Sequence, residues 1–169
     1  MDLEARFNAL LDACGPAIYR AVRSYAPPGA DREDLTQDVS FAIWRALPGF
    51  RGECADRTFA LRIAHLRGLS FAARRRVRAR EGLRDDGAVE AAPDRAALPD
   101  ARAAGREDVE RLFTALRKLP IPSRQALALA LEGLDHKEIG DVIGTTAENV
   151  AVRLSRARAA LRLALSEES

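Results

Sequence analysis

The sequence predicts an all-α protein of two small helical domains joined by a flexible linker. Apolar residues recur at intervals of three and four along most of the 169 residues, and no stretch shows the alternation that strands require. Residues 80–106, by contrast, are rich in Ala, Asp, Arg, Gly and Pro and contain no aromatic side chain. Such a segment cannot bury enough apolar surface to offset its ordering entropy. We therefore predict domains at 1–79 and 107–169, separated by a linker at 80–106.

The composition, 47% hydrophobic and 31% charged, is typical of a soluble globular protein. No apolar run is long enough for membrane insertion, and the N-terminus lacks a basic-then-apolar signal, so we expect a cytoplasmic protein. Cys14 and Cys54 lack CxxC spacing, and His65 and His136 lack neighbours of ligand type. We predict no metal, no disulfide and no cofactor.

Charge is strongly segregated along the chain, although the formal net charge is only +2. Residues 57–80 contain eight arginines and no acid, whereas residues 31–38 contain four acids and one arginine. Together with a second basic stretch near the C-terminus, this distribution predicts one acidic face and two basic faces.

The first domain is expected to contain three helices. The first spans Leu3 to Tyr25, and Gly15-Pro16 could interrupt it. The second is capped by Asp31 and runs to about Leu47, and the third runs from Thr58 to about Arg78 after a polar loop at 50–56. The residues expected to face inward are Leu35, Val39, Ile43 and Leu47 in the second helix, and Phe59, Ile63, Leu66 and Phe71 in the third.

In the second domain, Glu107–Leu119 and Ser123–Gly133 are predicted helices, separated by Pro120-Ile121-Pro122. A helix-turn-helix follows, from Asp135 to Leu163. The pattern places a capping box at its start, a left-handed glycine in its turn and a capping threonine before its second helix. The residues in these three roles are Asp135 with Glu138, Gly144, and Thr146. The buried stripes are predicted to be Ile139, Val142 and Ile143, then Val150, Leu154, Ala157 and Leu161.

The second helix of this pair has the charge expected of a DNA-binding helix. Asn149, Arg153 and Arg156 share one face, Arg158 and Arg162 follow, and no acid occurs from Asn149 to Leu165. Arginines in this arrangement suit phosphates and guanine edges. The alternative, on these residues alone, is an ordinary helical hairpin with a solvated arginine face.

Taken together, these segments resemble two conserved regions of the bacterial extracytoplasmic-function sigma factors. The similarity covers nearly the whole chain, with the linker in the expected place and the intervening third region absent. The second region is matched by DREDLTQD (31–38), IWRAL (43–47), FRGE (50–53) and RTF (57–59). The fourth region is matched by LPIPSRQ (119–125), EGL (132–134), EI (138–139), IG (143–144) and VRLSRAR (152–158).

The resemblance implies a subunit that binds core RNA polymerase and directs it to promoters. The first domain would bind and help melt the minus-ten element, and the second would read the minus-thirty-five element. The implied partners are the clamp of the largest polymerase subunit, the flap of the second largest, promoter DNA and an anti-sigma factor.

Matching positions then give the expected site residues. Core-polymerase binding falls to Asp34, Gln37 and Asp38, on an acidic helix start that the helix dipole also favours. Two elements are expected to contact the minus-ten element: a loop that captures a flipped base and a helix that follows the phosphates. The expected contact residues are Arg51, Glu53, Cys54, Arg57, Arg62, Arg74 and Arg75. Minus-thirty-five contacts fall to Thr146, Glu148, Asn149, Arg153, Arg156 and Arg158.

At a few positions the sequence departs from the family pattern. Leu66 and Ser70 stand where Asn and Asp are usual, and Asp56 replaces an aromatic residue; all three differences bear on minus-ten recognition. Ala151 and Val152 occupy places that are usually polar, so the readout is expected to rest more on Arg153, Asn149 and Glu148.

Two other function classes remain open on the sequence alone. A stand-alone helix-turn-helix regulator would bind duplex operator without polymerase, but it leaves the acidic helix and the FRGE loop unexplained. A helical adaptor that holds protein partners through its charged faces would support no promoter-dependent transcription. An enzyme is not expected, because no nucleophile with a base, phosphate loop or metal cluster can be assembled.

Overall fold

The computed structural model describes residues 2–82 and 101–166, and side chains in the second range from residue 105. Seven α-helices and one 3-10 turn account for the regular structure in these ranges, and no strand occurs in them. The N-terminal half (2–82) contains α1 (Leu3–Arg23), α2 (Ala30–Ala46), a 3-10 turn (Leu47–Gly49) and α3 (Asp56–Arg80). The C-terminal half (101–166) contains α4 (Ala101–Lys118), α5 (Ile121–Leu131), α6 (His136–Ile143) and α7 (Ala147–Ser166).

Helix α1 runs through Gly15-Pro16 without the break that the sequence could have produced. A proline inside a helix removes one backbone hydrogen bond and clashes with the preceding turn. Cys14, Ala17 and Ile18 are buried on both sides of it, and their packing holds the helix together across this weak point.

The start of α2 differs from the prediction. The N-cap is Gly29, whose φ of 106° lies in a region that glycine adopts readily, and no side chain caps the helix. Asp31 instead lies inside the first turn, where its charge favours the helix N-terminus. The prediction that Asp31 is the cap was therefore wrong. Its carboxylate still lies at the helix N-terminus, where the helix dipole favours a negative charge.

The buried face of α3 also differs from the prediction, because Leu66 is 55% exposed and Phe59 and Ile63 are only half-buried. The helix buries its small residues Ala60, Ala64 and Gly68, which lie at intervals of four, with Leu61, His65 and Phe71. A Cβ at Gly68 would lie 2.3 Å from the Tyr25 ring, so this glycine permits the close approach of α3 to the end of α1. The prediction was therefore wrong for Leu66, whereas Phe71 is buried as predicted and Phe59 and Ile63 pack against the core.

Between these two helices, the hydroxyl of Tyr25 and Nδ1 of the fully buried His65 share a hydrogen bond of 2.8 Å. Burial lowers the pKa of His65 to about 4. The histidine is therefore a neutral structural residue at physiological pH, as the sequence indicated.

The helix-turn-helix forms as predicted. Asp135 and Glu138 make the reciprocal capping box with hydrogen bonds of 2.8 Å, and Gly144 is left-handed with a φ of 70°. The Thr146 hydroxyl caps α7 by accepting from the Asn149 amide at 3.3 Å. Ile139, Val142, Val150, Leu154 and Ala157 are buried, whereas the predicted stripe residues Ile143 and Leu161 are only half-buried.

Helices α4 and α5 begin earlier than expected. Helix α4 begins at Ala101, within the predicted linker, and α5 begins at Ile121 with Pro120 as its N-cap and Pro122 in its first turn. Proline is well accommodated there, because first-turn amides have no partner inside the helix. The remainder of the predicted linker, from residue 83 to 100, lies outside the described residues.

Replacing Gly140 by Ala is expected to destabilise the helix-turn-helix by about 2 kcal/mol or more. A Cβ at this position would lie 2.5 Å from the backbone oxygen of Thr145, which cannot move without opening the turn. Thermal unfolding followed by circular dichroism measures the loss. Gly15→Ala is the matched control: it has open space around its Cβ and should be neutral or stabilising by up to ~1 kcal/mol. Equal stability of Gly140→Ala and the parent would contradict this packing.

The two halves pack against each other, and one continuous hydrophobic core includes residues from both. Contacts join α3 to α6 and α1 to α5. We call this interface the seam. It is stabilised at two carboxylates of the C-terminal half, Glu110 and Glu132, which we call the seam carboxylates.

Glu132 is the more buried of the two, with a side chain only 5% exposed. It accepts hydrogen bonds from Arg20 at 2.5 and 2.8 Å and from Arg57 at 2.7 Å. Arg57 also donates to the backbone oxygen of Glu132 at 2.6 Å. This carboxylate therefore joins α1 and α3 of the N-terminal half to the end of α5.

Glu110 forms the second junction. It accepts from Arg23 at 2.8 Å, from Arg32 at 3.0 Å and from Arg117 of its own helix at 3.0 Å. Arg117 donates in turn to the backbone oxygen of Arg23 at 2.9 Å. Arg23 also stacks over the Phe113 ring at 4.3 Å. The seam thus combines ion pairs with apolar packing.

Acid should loosen the seam. Burial raises the pKa of each seam carboxylate, but hydrogen bonds from arginines outweigh it, so both pKa values lie below the ordinary range. A carboxyl group whose pKa is lowered by folding stabilises the folded state above its unfolded pKa of about 4.3 and loses that contribution as the pH falls through the folded pKa. We expect the radius of gyration, measured by X-ray scattering, to be constant from about pH 7 to 5 and to increase below about pH 4. A constant radius down to about pH 3 would contradict this role.

Candidate functional site

The acidic helix α2 divides its charges between the chain's own α3 and the surface. Asp38 binds Arg67 with two hydrogen bonds of 2.5 and 2.9 Å, and Asp31 lies 3.8 Å from Arg75. Asp34 and Gln37 are exposed, and Asp34 also lines the recess between α2 and the end of α3. Of the three predicted polymerase-binding residues, two are thus exposed and Asp38 is held by an internal ion pair. This pairing could have been predicted from the sequence, because residues 31–38 are acidic and α3 is rich in arginine.

Phe41 is a surface residue that was not expected from the sequence to belong to the site. It is 59% exposed, and Arg45 lies over its ring at 5.8 Å. It follows Asp34 and Gln37 at helical spacing, so the three side chains form one exposed stripe. Aromatic residues are enriched at protein interfaces, so Phe41 suits a protein-binding surface together with Asp34 and Gln37.

The loop at 50–56 is held in a defined shape. The Phe50 ring stacks on Phe59 at 4.2 Å, and Arg6 donates to the backbone oxygen of Phe50 at 2.9 Å. Glu53 accepts from the Arg51 amide at 3.1 Å. The side chains of Arg51 and Glu53 are exposed and Cys54 is half-buried. The predicted base-capturing residues therefore lie on a preformed loop.

The arginines of α3 separate into two groups. Arg57 and Arg62 face the C-terminal half, since Arg57 binds Glu132 and Arg62 donates to the backbone oxygen of Asp141 at 3.0 Å. Arg74 and Arg75 lie near the far end of α3, beside Asp31 and Asp34. In this arrangement the predicted minus-ten residues do not form one continuous surface, because Arg57 and Arg62 are bonded to the C-terminal half at the seam.

Helix α7 presents most of the predicted duplex-reading residues on one side. Asn149 and Arg156 are exposed, Arg153 is half-buried, and Val152 beside them is 48% exposed. At the start of the helix, a backbone hydrogen bond and then the Thr146 hydroxyl lower the pKa of Glu148, so its carboxylate is turned toward the helix N-terminus. These side chains can meet a major groove together.

Arg158 does not share that surface. It lies nine residues after Asn149, which at 3.6 residues per turn is about two and a half turns, on the opposite side of the helix. There it lines a shallow recess with His136 and Arg162. The spacing of Asn149 and Arg158 in the sequence already predicts that they lie on opposite sides of a helix.

In residues 2–82 and 101–166, no group of His, Cys, Asp and Glu could hold a metal ion. Over the same described ranges, no helix combines the length and apolar character needed to span a membrane.

Comparison with known proteins gives matches to both halves. The family model for sigma-70 region 2 matches residues 10–80, and that for sigma-70 region 4 matches residues 110–161. The RNA polymerase sigma factor NccH of Alcaligenes xylosoxydans xylosoxydans is 30% identical over 157 residues, covering 92% of this chain and 84% of that protein. CnrH of Cupriavidus metallidurans is 30% identical over 168 residues, covering 96% and 88%. The ECF RNA polymerase sigma-E factor of Escherichia coli K12 is 28% identical over 163 residues, covering 92% and 84%.

Solved structures agree with these matches. CnrH in complex with the cytosolic domain of CnrY superimposes with a TM-score of 0.70 at 26% identity, over 98% of this chain and 91% of that one. The sigma factor RpoE in complex with the anti-sigma factor NepR from Bartonella quintana gives a TM-score of 0.69 at 22% identity, over 95% and 97%. Both matches extend across the N-terminal and C-terminal halves.

Proposed function

The chain belongs to the extracytoplasmic-function sigma factors, which direct core RNA polymerase to specific promoters, and from this membership we propose which of its surfaces perform each task. The N-terminal half binds core polymerase and the minus-ten element, and the C-terminal half reads the minus-thirty-five element. The observation that carries this division is the presence, in one chain, of an exposed acidic stripe on α2 and a basic recognition helix at α7. The polymerase performs the chemistry of transcription, and this chain recognises the promoter.

Polymerase docks on the exposed stripe of α2. Asp34 and Gln37 are exposed there and offer hydrogen-bond acceptors to a basic partner, and Phe41 adds an apolar anchor beside them. Asp38 contributes by holding Arg67, which fixes α2 on α3. The partner surface is the clamp of the largest subunit.

Melted minus-ten DNA is held by the 50–56 loop and α3. The preformed loop presents Arg51, Glu53 and Cys54 to an extruded base. Unstacking that base costs a few kcal/mol, which its contacts with the loop must offset. Arg57, Arg62, Arg74 and Arg75 then follow the phosphates of the opened strand. Arg57 and Arg62 become available only when they leave their partners across the seam.

The two promoter elements cannot be read together while the halves stay packed. Their centres lie about 25 base pairs apart, which at ~3.4 Å per base pair is roughly 80 Å. A compact chain of this length has a radius of gyration of only about 15 Å. Polymerase and promoter therefore bind an open arrangement, with the flap of the second-largest subunit holding the C-terminal half at a distance. An anti-sigma factor in the cytoplasm favours the closed one.

Arg153 and Arg156 are expected to contribute to the minus-thirty-five contact in different ways, one reading a base edge and the other a phosphate. Alanine at the base-reading position should cost about 1 to 3 kcal/mol on the cognate element and little on an altered one. Alanine at the phosphate position should weaken every sequence alike and reduce the salt slope by about one. Holoenzyme binding to promoters across a salt series measures both effects.

Arg158→Ala serves as the matched control, because it removes the same charge from the opposite side of α7. It should leave discrimination between elements unchanged. Equal, sequence-independent losses at Arg153 and Arg156 would refute base readout by this pair, and a loss of discrimination at Arg158 would refute the assignment of the reading face.

A further inference from the structure

The solvent side of α3 carries a row of apolar side chains that none of the contacts proposed above uses. Leu66 is 55% exposed and Val77 is 52% exposed, and the exposed Ala73 lies between them. At about 100° per residue, the three side chains fall within ~40° of the helix circumference and extend over roughly 16 Å. We call them the α3 row. Single exposed apolar residues are common on protein surfaces, but several in line along one helix indicate a contact surface.

Arginines flank the α3 row on both sides. One edge is formed by Arg62, Arg76 and Arg80 and the other by Arg74, and residues 57–80 contain no acid. A single-stranded nucleic acid has the matching pattern, because its bases have apolar faces and its phosphates are negative. Helix α3 also begins directly after the preformed loop, so a strand that leaves this loop can continue along the row. Charge and position therefore both fit an unpaired DNA strand.

The α3 row offers no hydrogen-bond donor to a base. Leucine, alanine and valine side chains have no polar atom. Ser70, which lies beside them, donates its hydroxyl to the backbone oxygen of Leu66 at 3.2 Å. Leu66 and Ser70 are also two of the positions at which the sequence departs from the family pattern. Base selection on this surface must therefore come from apolar contact, and thymine is the DNA base that presents a methyl group for it.

We infer that the α3 row is a specificity-determining surface for the melted minus-ten strand, and that Leu66 selects thymine through its 5-methyl group. The inference rests on the proposed function, since it assigns the base preference of the same site. The flanking arginines hold the phosphates of any sequence, and the row adds the preference for thymine. A membrane surface fits less well, because membrane-binding helices carry a broad apolar face of bulky side chains, whereas this row is narrow and includes an alanine.

The test uses the full chain in complex with core polymerase, and a promoter identified by run-off transcription whose minus-ten strands are kept unpaired by mismatches. At each unpaired position in turn, the non-template strand carries thymine or deoxyuridine, which differ only in the 5-methyl group. Holoenzyme affinity is measured for each pair of probes. The parent should bind thymine about three- to fivefold more tightly than deoxyuridine at one position or more, which is the effect of burying one methyl group.

Variants of Leu66 connect this preference to the α3 row. Leu66→Asn should lose the preference at one position and bind the two probes there alike, because the methyl group then meets an amide. Leu66→Met keeps an apolar contact and should retain the preference. Leu131→Asn is the matched control: Leu131 is 57% exposed but lies in the C-terminal half, and this variant should behave like the parent. Circular dichroism should show all three variants folded, since none of them removes a buried side chain.

Equal binding of the two probes by the parent at every position would overturn the inference, and so would a thymine preference that Leu66→Asn retains throughout. Binding of the free chain to phosphatidylglycerol vesicles that Leu66→Asn abolishes, without any thymine preference, would assign the row to a membrane instead. Promoter-directed transcripts from a parent that shows no preference would reject the inference and leave the proposed function in place. A parent that forms no promoter-directed transcript with core polymerase would reject the proposed function, and the inference with it.

Discussion

Replacing Asp34 by Arg should weaken binding to core RNA polymerase by on the order of 2 kcal/mol, or roughly 30-fold, and should nearly abolish promoter-directed transcription at moderate salt. Asp34 is exposed on α2, in line with Gln37 and Phe41, and it borders the recess lined by the arginines at the end of α3. Reversing its charge sets a cation against a basic partner surface and leaves the core residues Leu35 and Val39 in place. Asp34→Asn should give an intermediate loss, because it removes the attraction without adding repulsion.

Asp12→Arg is the control for this experiment, since Asp12 is an exposed acid on α1 away from the stripe. It should bind polymerase like the parent. Circular dichroism should show that both variants stay folded, with stability changes of about 0.5 kcal/mol. Asp38 is unsuitable for the test, because its loss would also release Arg67. Unchanged polymerase affinity in Asp34→Arg would disprove the docking surface on α2.

The double substitution Glu110→Gln with Glu132→Gln should open the free chain. Each change leaves arginines from the N-terminal half without a counter-charge at a buried position, and we expect a cost on the order of 2 kcal/mol each, lowered by the partial exposure of Arg20 and Arg57. The radius of gyration from X-ray scattering should rise by several Å above the ~15 Å of a compact chain. Limited proteolysis should become faster between the halves.

Glu107→Gln with Glu138→Gln changes the charge equally but at exposed positions of the same half, and it should leave the radius unchanged. Because Glu138 belongs to the capping box, its stability is checked separately by thermal unfolding. A double seam variant as compact as the parent would show that apolar packing alone closes the chain. In that case protonation of the seam carboxylates could not cause the expansion that is expected in acid.

Much of this fold could be predicted from local patterns. The helix-turn-helix was predictable residue by residue, because the capping box, the left-handed Gly144 and the Thr146 cap are local chemistry that acts within a few positions. The buried face of α3 was predictable only at Phe71, because Ala60, Ala64 and Gly68 are buried by the close approach of α1 and Tyr25 rather than by their own hydrophobicity.

The candidate site shows the same limit. The residue types and helical faces of α2 and α7 follow from spacing, and Asp34, Gln37, Asn149 and Arg156 are exposed as expected. The pairing of Arg57 with Glu132 depends on which helices meet in three dimensions, and charge patterning alone gives no register between helices far apart in sequence. The seam therefore emerged only from the structure.

The central claim is that this chain directs core RNA polymerase to promoters, and run-off transcription from a genomic promoter library tests it most directly. Purified core polymerase with the chain should produce transcripts from a discrete set of start sites that share two upstream elements, and polymerase alone should produce none of them. Absence of such transcripts, combined with tight binding of the chain to duplex DNA without polymerase, would contradict the account and identify a stand-alone regulator.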